Sequence, residues 1–95
     1  MKLSSSNKEL ARRVYEACKK SIKELSKARG DGEFVSKLGF ISLIWEGLDD
    51  NVAKEIEKLS YELSKQGYDL EWKEHRAEFI SRLERNAQFI KKEIL

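Results

Sequence analysis

The side chains in this sequence best suited to chemistry at neutral pH are one histidine and one cysteine. His75 has Glu71 four residues before it and Glu78 three after, a spacing that gathers all three on one side of a helix. Helical bundles build metal centres from such groupings, most often with Glu-x-x-His pairs on facing helices. Here Trp72 occupies the position three before His75, and there is no second histidine to complete a ligand set. A solvated helix face accounts for the same residues, so no metal and no cofactor is expected.

Cys18 would need a neighbouring base and a lowered pKa to act as a nucleophile. It falls among apolar residues at helical spacing, which predicts a small buried side chain instead. Gly30-Asp31-Gly32 lacks the Gly-Lys-Ser/Thr of a phosphate loop and reads as a turn. Among seventeen acidic residues no catalytic pair stands out. Neither an enzyme nor a small-molecule substrate is expected.

Charge suggests one other activity. Residues 1–29 carry nine Lys or Arg against three Glu, whereas residues 30–74 carry five basic against eleven acidic residues. Arg12, Lys19, Lys20, Lys23 and Lys27 fall on one side of the first helix and could contact phosphates. Glu9 and Glu16 share that side, and no aromatic residue is interleaved for base stacking. A nucleic-acid-binding regulator is therefore the runner-up. The simpler use of the asymmetry is to pack a basic helix beside an acidic one.

The elements that must position these residues are helices. Ninety-five residues suit one domain, and the absence of proline suits long helices. The longest apolar stretch, residues 38–45, is far short of the roughly 20 residues of a membrane span. One cysteine cannot close an internal disulfide, and the N-terminal segment lacks the apolar run of a signal peptide, so the cytoplasm is the expected setting. Residues 1–6 read as a short flexible tail and 7–95 as the domain.

Apolar residues at three- and four-residue steps predict helices over about residues 7–29, 33–48, 51–66 and 70–94. Ser6 with Glu9 fits a capping box, and the i,i+4 pairs that follow include Lys20 with Glu24. Gly30 and Gly67 fit the left-handed position that closes a helix, while Asp49-Asp50-Asn51 and Asp69 supply caps for the third and fourth helices. The first helix turns Leu10, Val14, Ala17, Cys18, Ile22, Leu25 and Ala28 inward. The third turns Val52, Ile56, Leu59 and Leu63 inward, and Tyr61 outward. The fourth carries Trp72, Phe79, Ile80, Leu83, Ala87, Ile90 and Ile94 on its inner side. Arg76 lies between Trp72 and Phe79, placed to stack on the indole or to pair with an acid of the second or third helix. Short connections make successive helices antiparallel. The expected fold is an all-α up-down bundle of about four helices, irregular because the helices are unequal, or completed by dimerisation.

The second helix is the unusual one. Phe34, Leu38, Ile41, Ile44, Trp45 and Leu48 make a core face, yet Phe40 and Leu43 lie off it, flanked by Ser36, Gly39 and Gly47. A strand would also suit residues 40–45, but no other segment alternates with period two to pair with it. Glycine costs a helix roughly 1 kcal/mol, which points to a close neighbour at Gly39 and Gly47. Either this helix is covered on all sides within the monomer, or its second face binds another protein or a second copy of the chain. The expected function is thus a small non-enzymatic protein–protein interaction module of the adaptor, inhibitor, immunity-protein or antitoxin kind. Its interface would be Ser36, Gly39, Phe40, Leu43 and Gly47, with Phe89, which falls off the stripe of the last helix. An engineered helical scaffold would share the Lys/Glu-rich, proline-free composition, although Cys18 and the glycines of the second helix argue against an idealised one.

Overall fold

In a computed structural model, residues 5–65 and 72–95 are described, with the backbone alone for residues 5–7. They form four helices, α1 (Ser5–Ser26), α2 (Asp31–Trp45), α3 (Asp50–Lys65) and α4 (Trp72–Glu93), with no strand among the described residues. The fold is an all-α up-down bundle, as the periodicity predicts. Residues 1–4 of the expected tail lie outside the described residues, as do Gly67, Asp69 and the expected start of the fourth helix.

Helix ends differ from expectation for local reasons. Ser5 and Ser6 are already helical, so Ser6 belongs to the first turn of α1 and is neither tail nor cap. α1 ends at Ser26, and Lys27 and Ala28 donate to the carbonyls of Glu24 and Leu25, which tightens its last turn. Gly30 is therefore not the left-handed end of α1. It is the extended N-cap of α2, and Asp31 and Gly32 form the first turn of α2 and not a loop. The Glu33 carboxylate accepts the Arg29 N–H at 2.7 Å, a variant of the capping box in which the acid reaches back one residue further. Asp49 caps α3 as expected, its Oδ1 accepting from the amides of Asn51 and Val52.

α2 occupies the centre. It packs against α1, α3 and α4, whereas α3 lies along α2 and α4 lies mainly along α1. A regular four-helix ring would place α3 beside α4. Among the described residues these two approach through long side chains such as Arg82, whose Nη2 lies 3.1 Å from Glu55 Oε2. The core is built from Ala17, Cys18 and Leu25 of α1, Phe34, Leu38, Ile41 and Trp45 of α2, Ala53, Ile56 and Leu63 of α3, and Phe79, Leu83 and Ala87 of α4. The apolar stripes of α3 and α4 face inward as the spacing predicts. Leu10 departs from expectation: it is 45% exposed because it lies near the start of α1, beyond the core cluster.

Two of the polar contacts that fix the helices against one another involve tryptophans. Trp45 Nε1 donates to Ser21 Oγ at 3.0 Å, joining α2 to α1 with both residues buried. Arg76 Nη1 donates to the Ala28 carbonyl at 2.6 Å while its guanidinium sits 4.9 Å from the Trp72 ring. Arg76 thus takes the expected stacking position, but its hydrogen-bond partner is the carbonyl of the buried Ala28, just past the end of α1, and not an acid.

Candidate functional site

Cys18 and His75, the two residues best suited to chemistry, sit in different surroundings. Cys18 is fully buried, and burial pushes its thiol up to about 11, away from the thiolate that reacts. His75 lines an open groove between α3 and α4 with Glu55, Leu59, Glu78, Phe79 and Arg82. Arg82 already holds Glu55, and Glu71 lies outside the described residues. Among the described residues no group of three His, Cys, Asp or Glu side chains is placed to hold a metal ion. No helix among them is long and apolar enough to cross a membrane.

The basic residues of α1 are exposed but do not form one unbroken surface. Lys27 falls beyond the helix end and lies 3.5 Å from Glu24. Glu24 also receives Lys37 of α2 at 2.9 Å, so its partners are Lys37 and Lys27 and not the expected Lys20. The hydrogen bond from Lys37 holds the Glu24 carboxyl below its ordinary range, with Lys27 adding to the effect. Arg12, Lys19, Lys20 and Lys23 remain exposed on the helix. Contrary to expectation an aromatic residue does accompany them, since Lys19 Nζ lies 5.6 Å from the centre of the half-buried Tyr15 ring.

The outer side of α2 is the surface without an internal explanation. Phe34, Leu38, Ile41 and Trp45 are at most 2% exposed, so the inner face is complete. Phe40 is 45% and Leu43 63% exposed, although α2 packs against three helices. The reading in which these two side chains are core of the monomer is therefore overturned. Helical geometry gives the reason: at 100° per residue Leu43 points opposite the Phe34–Trp45 stripe, and three neighbours on one side cannot reach it. Ser36 and Gly39 are exposed beside Phe40 on the same helix.

The glycines do not serve close packing inside the chain. A Cβ at Gly39 or Gly47 would meet no atom within 4 Å. Gly47 lies past the end of α2 with φ of +84°, a left-handed turn that only glycine adopts without cost. Its amide donates to Asp50 Oδ1 at 3.0 Å, and the amides of Leu48 and Asp49 return to the Trp45 carbonyl, so the turn into α3 is well tied. Gly47 therefore has a backbone role, and Gly39 leaves an open notch beside Phe40. Phe89 is 61% exposed as predicted, but it belongs to α4, so the six residues are not one helix face.

Sequence reasoning missed Ser21 as the buried partner of Trp45. The signal was present, since Ser21 lies four residues from both Ala17 and Leu25 on the inner stripe of α1. It also missed an open groove of about 380 Å³ between α1 and α2, lined by Arg12, Arg13, Glu16, Ala17, Lys20, Ile44 and Leu48. Periodicity places residues on faces but does not show which faces meet along a groove. Set against family models, curated proteins and solved structures, the chain finds no match in any of the three.

Proposed function

We propose that this chain works without catalysis, as a protein–protein interaction module that docks through the outer face of α2. The supporting observation is the exposure of Phe40 and Leu43 on a helix whose opposite side is fully buried. A single exposed leucine is ordinary. Two large apolar side chains one turn apart, with no charged residue between Lys37 and Glu46, make a surface that a partner removes from water. Fully burying such a side chain contributes about 1.5–3 kcal/mol. Ser36 and Gly39 keep the surroundings low, so a partner's backbone can come close to the helix.

Replacing Phe40 by a photoreactive phenylalanine analogue tests the proposal in cells that make the protein naturally. The expected result is one defined protein adduct, or a dimer of the chain, that the same analogue at Glu57 on α3 does not give. Adding Leu43→Glu removes the adduct while circular dichroism stays that of the parent. Equal labelling from both positions, or none from Phe40, overturns the proposal.

A further inference from the structure

The apolar ridge of α2 continues past Leu43. Ile44, one turn after Phe40, and Leu48, in the turn that follows α2, floor the groove of about 380 Å³ together with Ala17 of α1. Its rim carries Arg12, Arg13 and Lys20 against a single acid, Glu16. Among the described residues none of these three cations is in an ion pair. The surface therefore joins an apolar strip to a positively charged border whose cations no described residue pairs with.

From this juxtaposition we infer that the occupant is an acidic amphipathic helix of a different protein, an inference that rests on α2 being the docking face. Apolar anchors at i, i+4 and i+7 of such a helix would cover Phe40, Ile44 and Leu48, with flanking Asp or Glu against Arg12, Arg13 and Lys20. A nucleic-acid backbone offers phosphates to the rim but nothing apolar to the floor. A second copy of the chain fits less well. Its exposed Phe89 has Arg85 and Lys92 at helical neighbour positions, and its exposed Tyr61 carries Lys65 with the ammonium 6.0 Å from the ring centre, with Lys58 and Glu57 one turn away. Pairing two α2 faces about a twofold axis would bring both basic borders into one interface.

Two labelled helical peptides with identical leucine spacing, one flanked by Glu and one by Lys, are titrated with the full chain by fluorescence anisotropy. The expected result is saturable binding of the Glu peptide, weakened by salt, with the Lys peptide at least about tenfold weaker. The triple variant Arg12→Glu, Arg13→Glu, Lys20→Glu is expected to invert that preference, and Leu43→Glu to weaken both peptides. All four positions are exposed, and circular dichroism of each variant checks the fold. Equal binding of the two peptides that Leu43→Glu abolishes overturns the acidic partner and leaves the docking face standing. No binding of either peptide overturns the inference, as does a dimer that Leu43→Glu dissociates. Tighter binding of duplex DNA that Leu43→Glu does not affect overturns both the acidic helix and the docking face.

Discussion

On one side of α2, Phe34, Leu38, Ile41 and Trp45 are sealed against α1, α3 and α4; half a turn away, Phe40 and Leu43 face water. The residue types are the same on both sides. In α3 the division is ordinary: Ile56 and Leu63 are buried, and mostly charged residues cover the rest. In α2 folding of the monomer buries or half-buries most of the apolar residues, Val35 and Ile44 included, yet leaves Phe40 and Leu43 on the outer side in water. Selection for stability alone gives no reason to keep leucine and phenylalanine in solvent, where polar residues suit a helix equally well. The difference between the two faces is thus the best guide to function in this chain.

Trp45 should give the largest effect. Trp45→Ala removes a buried indole and strands the Ser21 hydroxyl, and it is expected to cost about 3–5 kcal/mol in urea unfolding. A loss below about 1 kcal/mol would mean that the inner face is not the centre of the core. Ser21→Ala leaves the indole N–H buried without an acceptor and should cost about 1–3 kcal/mol, with a shift in tryptophan emission. Little change in either would show that water reaches the Trp45 ring edge.

Glu24 probes the α1–α2 contact through pH. Its carboxyl is held below the ordinary value of 4.5, first by the hydrogen bond from Lys37, so the unfolded chain takes up that proton at higher pH than the folded one. The stabilisation is present above the ordinary carboxylate range and is lost as pH falls through the lower folded value. Glu24→Gln should flatten the acid limb of the stability profile and leave the neutral region parallel to the parent. An unaltered acid limb would assign the acid sensitivity to other carboxylates. Leu43→Glu should have the smallest effect on stability, within about 0.5 kcal/mol of the parent, while removing association. A large loss of stability would show that Leu43 is core after all.

Helix number, the inward stripes of α3 and α4, the outward Tyr61 and Phe89 and the Asp49 cap were all legible in residue spacing. They depend on contacts within one or two turns, and period 3.6 records those contacts directly. The helix junctions were less legible. Gly30 could end one helix or begin the next, and which it does depends on where α1 stops paying out hydrogen bonds and where Glu33 reaches back to Arg29. The candidate surface was half legible. Phe40 and Leu43 stood out as off-stripe residues, whereas the groove with Arg12, Arg13 and Lys20 did not, because it joins residues about thirty positions apart.

The sequence by itself determined that this chain is helical and that α2 carries more apolar residues than one face can hold, since both follow from composition and local periodicity. Only the tertiary structure decided which of those residues are core. Three helices close over the Phe34–Trp45 side, and α3 stays on α2 instead of closing against α4. Leu43 thereby remains in water, because burial depends on where neighbouring helices pack, which hydropathy along the chain does not record.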